Sequence, residues 1–338
     1  MGNLDRYSRQ IAFEKMGRAG QEKLGRSTAV IFGMGALGTV IAESLCRAGA
    51  GRIRLVDRDI VTLSNLQRQA LYTESDARQE RPKSLAAADS LARINAAITL
   101  EPVIADITAA NIEELLLGAD IALDGSDNFE LRLLLNEACV KRRLPWIYGG
   151  AIAATGGSMN ILEGGPCFRC LVPEPPAPGS YPTCASEGIL NMVTGIIGCV
   201  EAAEAVKILT GSAAVSKQYL SIDVWENTVD QIRIVKNPDC PVCGRGEYSM
   251  LENPGRGEAV AFCGQDAVQV SPAAGTTINL EAAAERLARS GEVQYTPFML
   301  KYRDAKTNFY LFEDGRAIIK QVTDTGAAKS IYAEYIGQ

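Results

Sequence analysis

A glycine-rich turn at residues 33–38, with the sequence GMGALG, constrains this chain more than any other feature. It follows the apolar run TAVIF, opens the helical pattern ALGTVIAESLCRAGA, and is followed by the strand pattern RIRLVD, which ends at Asp57. Glycines in this context permit a tight turn close to a phosphate, the helix N-terminus attracts negative charge, and the acid accepts hydrogen bonds from a ribose. We therefore predict a nucleotide site formed by Gly33, Gly35, Ala36, Gly38 and Asp57.

This motif leaves alternatives open. The turn could serve only to pack the strand against the helix, with no ligand. If it does bind a nucleotide, the motif does not identify it, because NAD, FAD, ATP and adenosyl compounds all bind at such turns. The chain contains no G-x-x-x-x-G-K-[ST] sequence, so the site is not a P-loop.

Strand and helix patterns alternate through about residue 150, which predicts an α/β fold with a doubly wound, Rossmann-like parallel sheet. Beyond Thr155 the pattern changes. We predict a strand at GGSMNIL, a long mobile crossover at the proline-rich residues 173–183, a buried apolar helix over 188–210, and an antiparallel pair formed by QYLSIDVW and TVDQIRIV. The sheet is therefore expected to continue into an antiparallel part.

The chain has 338 residues, more than one average domain, and the segment ENPGRGE at residues 252–258 has the composition of a linker. We predict one large domain over residues 1–250 and a small α+β domain over residues 255–338. In the small domain we expect extended segments at AVAFC, AVQV, EVQYTPFMLKYR and NFYLF, a helix over 279–289, a tight turn at Asp314-Gly315 into RAIIKQV, and a final helix in AAKSIYAEYI.

Charge and hydropathy exclude several classes of protein. The formal net charge is −6 and there are no basic clusters, so nucleic acid is not expected as the main partner. No apolar run approaches the roughly 18 residues of a membrane span, and the N-terminus MGNLDRYSRQ lacks the apolar region of a secretory signal. We therefore expect a cytoplasmic protein that binds no membrane.

The chain has no histidine and nine cysteines. The absence of histidine excludes every mechanism that needs an imidazole base. An odd number of cysteines without an export signal indicates thiols or metal ligands in a reducing compartment. We expect Cys46, Cys139, Cys199 and Cys263 to be core residues, because they lie in apolar patterns.

Polar residues follow the predicted strands at the edge where the glycine turn lies. The candidates for this site are Asp57, Asp59, Asn65, Arg68, Lys83, Asp127 and Asn128. Strand carboxyl ends converge on the ligand crevice of a doubly wound sheet, where Arg68 and Lys83 suit a triphosphate and Asp127 suits Mg²⁺. Each could instead be a solvated charge, and Asp127 could cap the next helix.

Two close cysteine pairs, Cys167-x-x-Cys170 and Cys240-x-x-Cys243, lie beside turn residues. Four thiolates in two knuckles predict a closed, structural zinc site that staples the crossover region to the end of the antiparallel pair. Two redox dithiols are the alternative. Cys184 follows the proline-rich crossover, where an exchangeable thiol would be accessible, although it could equally be an incidental cysteine.

Taken together, RYSRQ, GMGALG, VDRDIV-x-x-SNLQRQ, a PK helix start, SDN and two CxxC pairs around a TC crossover resemble the ThiF/MoeB/HesA adenylyltransferases over about residues 4–248. Residues 255–338 resemble the C-terminal extension of Bacillus-type members. The extension lacks a rhodanese cysteine loop, so we expect no sulfurtransferase activity within this chain. Ala36 stands where the family commonly has glycine.

The resemblance implies ATP-dependent adenylation of the C-terminal Gly-Gly carboxylate of a ubiquitin-like sulfur-carrier protein, the thiamin type before the molybdopterin type. It implies that Asp57 holds the ribose, that Asn65, Arg68 and Lys83 contact phosphates, and that Asp127 holds magnesium. Arg9 resembles an arginine supplied across a homodimer, and Cys184 resembles a crossover cysteine that links covalently to the carrier in some members. A sulfur donor, such as a cysteine desulfurase, is a further implied partner.

Two rival functions remain at this stage. The glycine turn alone would also suit an NAD(P)-dependent oxidoreductase, although that function leaves SNLQR, Lys83, the cysteine pairs and RYSRQ unexplained. A non-catalytic scaffold that binds a ubiquitin-like partner is the second rival.

Overall fold

The computed structural model describes residues 4–176, 184–252, 259–261, 267–272 and 276–337. The chain forms two compact units, Met1–Asn253 and Pro254–Gln338. Most of the predicted crossover, residues 177–183, lies outside the described residues, as do the linker at 253–258 and Cys263.

The first unit contains one eight-stranded sheet. Its strands are β1 (Thr28–Phe32), β2 (Arg52–Asp57), β3 (Thr99–Ile104), β4 (Ile121–Asp124), β5 (Trp146–Ile152), β6 (Thr155–Ile161), β7 (Tyr219–Asp223) and β8 (Thr228–Ile232). Their order is β3-β2-β1-β4-β5-β6-β7-β8; the first five are parallel, and β6, β7 and β8 each pair antiparallel with the strand before them. The predicted Rossmann-like sheet with an antiparallel continuation is confirmed.

Helices precede, connect and follow these strands. They are α1 (Ser8–Ile11), α2 (Gly17–Leu24), α3 (Ala36–Ala48), α4 (Glu74–Arg78), α5 (Lys83–Ile94), α6 (Ile112–Leu115), α7 (Phe129–Arg142), α8 (Phe168–Leu171), α9 (Cys184–Glu187), α10 (Asn191–Thr210) and α11 (Ser249–Glu252). The described part of the unit also contains two 3₁₀ turns, Leu4–Tyr7 and Leu63–Asn65.

The central strands are buried on both faces. Side chains of a strand alternate between faces, so Ile31 of β1 joins the core that contains α3, α5 and α10, whereas Val30 and Phe32 join the core against α7. This double burial explains why TAVIF is apolar at nearly every position rather than at every second one.

Three predictions about helices need correction. The segment ITAANIEELLLGA is helical only at Ile112–Leu115, because Asn111 accepts a hydrogen bond from the Thr108 backbone and closes a turn there instead. The apolar helix α10 is not wholly buried, since Met192 and Ile196 are exposed. Cys199 on the same face is exposed and is not a core residue, whereas Cys46 and Cys139 are buried as predicted.

The described residues of the second unit form a six-stranded antiparallel sheet with two helices. Its strands are β9 (Ala259–Ala261), β10 (Ala267–Val270), β11 (Glu292–Thr296), β12 (Met299–Arg303), β13 (Asn308–Phe312) and β14 (Ala317–Lys320), in the order β11-β12-β13-β14-β10-β9. The helices are α12 (Leu280–Leu287) and α13 (Thr325–Tyr335). The segment EVQYTPFMLKYR is two strands rather than one, because Pro297 and Phe298 form a turn in which the Thr296 hydroxyl accepts a hydrogen bond from the Met299 backbone.

Among the described residues, no helix is long and apolar enough to cross a bilayer.

Candidate active site

The glycine turn lies at the carboxyl edge of the sheet, where the strand order switches between β1 and β4. Gly33 has a φ of +92°, which favours glycine, and a Cβ on Gly38 would lie 1.9 Å from the Gly33 carbonyl oxygen. A Cβ on Gly125, which follows β4, would meet the same oxygen at 2.3 Å. Ala36 begins α3 without a positive φ, so alanine is accommodated there without strain.

A cavity opens at this turn, and most of the predicted site residues line it. Besides Gly33, Gly35 and Ala36, the predicted residues on its wall are Asp57, Asp59, Arg68, Lys83, Asp127 and Asn128. Gly38 is not on the wall and contributes by close packing beneath the turn. Such a cavity, at the switch point of a doubly wound sheet, is where ligands of this fold bind.

Two carboxylates and one buried lysine form the first charged cluster of the cavity. Asp57 accepts hydrogen bonds from the backbones of Met34 and Asp59, each at 2.6 Å, which fixes its carboxylate against the glycine turn. The Lys83 ammonium lies 3.1 Å from Asp59 Oδ2. Burial disfavours the charged form of Lys83, but nearby carboxylates, led by Asp59, outweigh burial and raise the pKa of this lysine. Lys83 is therefore a fixed positive charge.

Only some residues of the SNLQRQ segment line the cavity. The Arg68 guanidinium donates to the Ser64 carbonyl and lines the cavity, and Gln69, which the sequence did not single out, lines it as well. Asn65 is buried, and its Oδ1 accepts a hydrogen bond from the Thr62 backbone in a capping box. Among the described residues Asn65 does not line the cavity, so here it shapes the turn that presents Arg68.

The loop after β4 carries Asp127, for which the sequence allowed two roles: a magnesium ligand or the cap of the next helix. Asn128, not Asp127, caps α7, because its Oδ1 accepts a hydrogen bond from the Leu131 backbone at 3.1 Å. The cap alternative for Asp127 is therefore wrong. The Asp127 carboxylate is exposed on the cavity wall, where its oxygens are available to a cation.

A buried ion pair beside this loop was missed by the sequence reasoning. Arg132 of α7 lines the cavity, and its Nε donates to Asp124 Oδ2 at 2.8 Å. Its Nη2 donates to the backbone oxygens of Ser126 and Gly149. A signal was available: Arg132 follows Asn128 by four residues and so shares its helix face.

The fully buried carboxyl of Glu201, on α10, packs against Gly149 behind this pair; a Cβ on Gly149 would lie 1.9 Å from Glu201 Oε1. Burial raises the pKa of Glu201 well above its ordinary value of 4.5, and the Asp124 carboxylate adds to the effect. The sequence signal for it was an acid within the largely apolar helix α10, which carries a second acid at Glu204.

The four knuckle cysteines meet in space. Cys167 Sγ lies 3.7 Å from Cys240 Sγ, Cys170 Sγ lies 3.4 Å from Cys243 Sγ, and all four sulfurs lie within 4.8 Å of one another. Sulfurs at about 2.3 Å from a tetrahedral metal would be about 3.8 Å apart, so this cluster could hold a metal ion. Asn136 of α7 donates to Cys167 Sγ and accepts from the Phe168 backbone, which orients the first knuckle.

The N-terminal segment is anchored away from the cavity. Tyr7 packs over Gly49, where a Cβ would lie 2.4 Å from its ring, and its hydroxyl accepts a hydrogen bond from Asn95. Gln10 donates to the Ala48 carbonyl at the end of α3. Arg9, between these two anchors, is exposed and is not on the cavity wall of its own chain. Cys184 begins the short helix α9, and its side chain lies outside the described part of the structure.

The sequence matches the model of the ThiF family over residues 7–242. A sulfur carrier protein ThiS adenylyltransferase from Bacillus subtilis is 39% identical over 336 residues, which cover 98% of this chain and 99% of the relative. A SAMP-activating enzyme E1 from Haloferax volcanii is 38% identical over 251 residues, 74% of this chain and 92% of the relative. Among solved structures, E. coli MccB with ATP has a TM-score of 0.62 at 22% identity, covering 72% of this chain and 75% of that chain.

The switch-point cavity and the strand order define a Rossmann-like α/β protein with a ligand site at the carboxyl edge of its sheet. Within that class, the chain belongs to the ThiF family and is an adenylyltransferase.

Proposed function

We propose that this enzyme uses ATP to adenylate the C-terminal Gly-Gly carboxylate of a ubiquitin-like sulfur-carrier protein. The observation that carries the proposal is one cavity that joins a glycine turn, two cations (Arg68 and Lys83) and an exposed carboxylate (Asp127). The Bacillus subtilis relative, similar over nearly its whole length, is named for the carrier ThiS. A thiamin-type carrier is therefore favoured, and a molybdopterin-type carrier is next.

The reaction joins two anions, so its main requirement is charge neutralisation. A carrier carboxylate oxygen attacks the α-phosphate of ATP, the new O–P bond forms, and the bond to the β-phosphate breaks, with its electron pair leaving on pyrophosphate. Asp57 would hold the ribose, while Arg68 and Lys83 would neutralise phosphate charge as pyrophosphate leaves. Asn65 would act through the SNLQRQ turn. Mg²⁺, held by Asp127, would supply further positive charge to the phosphates.

A persulfide from a sulfur donor such as a cysteine desulfurase would then attack the acyl carbon of the adenylate, and AMP would leave with the electron pair of the broken C–O bond. A thiol reductant would then cleave the S–S bond of the resulting acyl disulfide and release the thiocarboxylate. Cys184 belongs to this proposal as the thiol that takes up the carrier covalently. We also assign zinc to Cys167, Cys170, Cys240 and Cys243, in a structural role, because four protein sulfurs leave no open coordination position. Sulfur contacts of 3.7 and 3.4 Å join different knuckles, which favours a shared metal over two separate redox dithiols.

We further propose a homodimer in which Arg9 reaches the partner's cavity. Arg9 is exposed on a segment held by Tyr7 and Gln10, and so is free to contact another chain. The uncovered apolar face of α10, with Met192 62% and Ile196 42% exposed, supports self-association.

Carrier-dependent ATP–pyrophosphate exchange tests the function, with thiamin-type and molybdopterin-type carriers assayed in parallel. We expect exchange with one carrier and a loss of about 100-fold or more in Asp127→Ala, with carrier binding retained. Glu113→Ala is the matched control, since Glu113 is a half-exposed carboxylate that pairs with Lys141 and does not line the cavity. Saturable NADH binding without exchange would support the oxidoreductase, and carrier binding without exchange would support the scaffold.

A further inference from the structure

The cavity spans several strands, and its two sides differ. Asp57 ends β2, the glycine turn follows β1, and Ala151 lies near the end of β5. From β2 to β5 there are three strand steps, which amount to about 14 Å. A nucleotide with its ribose at Asp57 and its phosphates at the glycine turn would leave the β5 side of the cavity for the second substrate.

Arg132 provides the positive charge on that second side. Four cations line the described cavity, and Arg58, Arg68 and Lys83 all come from the segments that follow β2. Arg132 comes from α7, next to β4 and β5, and shares the wall with Ala151, Ile189 and Thr194. A carboxylate nucleophile approaching a polyphosphate needs a cation on its own side, because the two anions otherwise repel each other.

The guanidinium of Arg132 is fixed, yet it keeps donors for a ligand. Within the described structure its hydrogen-bond donors are Nε and Nη2, and its side chain is 13% exposed. An arginine has five N–H donors, so the two of Nη1 are left over. The Asp124 carboxylate and the face of the Tyr148 ring, 5.3 Å from the guanidinium carbon, hold the group in one orientation.

Glu201 does not compete for this cation. Its carboxyl oxygens form no hydrogen bond with described residues, and the ionised form would place an unpaired negative charge in the core. Glu201 is a neutral acid behind Gly149 and does not form an ion pair with Arg132. One edge of the Arg132 guanidinium therefore pairs with Asp124, and the other faces the cavity.

We propose that Arg132 binds the terminal carboxylate of the acyl substrate through its Nη1 donors and presents it to the α-phosphate. This inference rests on the function proposed above and adds to it the group that receives the peptide carboxylate.

The test compares a carrier that ends in a carboxylate with the same carrier ending in a carboxamide. Carrier affinity is measured by calorimetry in the presence of a non-hydrolysable ATP analogue. For the wild type we expect the carboxamide to bind about tenfold or more weakly, since it lacks the charge that strengthens hydrogen bonds from a guanidinium. For Arg132→Lys, which keeps the charge beside Asp124 but loses the planar donor pair, we expect little discrimination between the carriers.

A second variant tests the same inference in case Arg132→Lys does not fold. Asp124→Asn with Arg132→Gln removes both buried charges together, so no uncompensated charge is left in the core. It should bind the ATP analogue within about twofold of the wild type and both carriers about equally weakly. Glu201→Gln is the matched control, expected to discriminate between the carriers as the wild type does.

Wild-type discrimination that persists in both Arg132 variants overturns the inference and leaves the proposed function intact, because exchange would still occur. Absence of exchange by the wild type with every carrier overturns the proposed function itself.

Discussion

Glu201 shows how one residue can make stability depend on pH. In the unfolded chain its carboxyl titrates near the ordinary value of 4.5, whereas burial in the fold raises its pKa well above that value. Between the two pKa values the unfolded state has lost this proton and the folded state still holds it. The contribution of Glu201 to the free energy of unfolding is therefore complete below about pH 4.5 and declines as the pH rises through this window.

We expect Glu201→Gln to remove that decline, because the amide has no proton to lose. The stability of the variant relative to the wild type should rise with pH, by up to about 1.4 kcal/mol per pH unit in this window. Urea unfolding at about pH 5 and about pH 8 measures the difference. Glu226→Gln, at an exposed carboxyl, is the control and should leave the slope unchanged. Parallel profiles for Glu201→Gln and the wild type would contradict the buried, neutral state of Glu201.

The individual site residues differ in how far sequence could predict them. Gly33, Gly38 and Asp57 act within one βαβ unit, so their spacing alone indicated their places. Arg132 depends on hydrogen bonds that join α7 to β4 and β5, and Glu201 depends on the packing of α10 against Gly149, which is distant in sequence. Because charged residues on helices usually face solvent, the sequence signals at these two positions were too weak to predict that both side chains are buried.

At the scale of elements, strands were predicted better than helix ends and turns. The run TAVIF is apolar at nearly every position because both faces of β1 are covered, and this pattern predicts a buried strand from the sequence alone. The sequence could not show whether Asp127 or Asn128 caps α7, since both residue types cap helices well. Likewise, the turn at Pro297 within EVQYTPFMLKYR depends on pairing between β11 and β12.

The two cysteine knuckles make an element-scale prediction. Purified wild-type protein should contain about one zinc per chain, and Cys240→Ser with Cys243→Ser should lose it, because two ligands cannot hold a closed site. The melting temperature should fall by about 10 °C, equivalent to a loss of about 3 kcal/mol in a domain of this size. Metal analysis and thermal unfolding measure the two effects.

Cys199→Ser is the control for the knuckle variants, because Cys199 is an exposed cysteine on α10 outside the cluster. It should keep both the zinc and the melting temperature. A wild-type preparation without zinc, made without chelators, would argue against the assignment.

At the scale of the whole molecule, the sheet order explains how residues far apart in sequence meet. Strand β1 lies between β2 and β4, so the loops after these three strands reach one crevice with Asp57, the glycine turn and Asp127. Arg9 does not join them within its own chain, although the resemblance assigns it to the site. The homodimer proposed above would have Arg9 complete the site of a second chain, a prediction that a single mutation cannot test.

We expect Arg9→Ala and Asp127→Ala each to abolish pyrophosphate exchange alone, and a mixture of the two to recover it. In a mixed dimer, the chain that carries Arg9→Ala keeps its own Asp127 and receives Arg9 from its partner, whereas the other site lacks both groups. Random exchange of subunits makes half of the dimers mixed, with one intact site each, so activity should return to about a quarter of the wild type. An arginine acting within its own chain would give no recovery, because neither chain of the mixture would then contain a complete site.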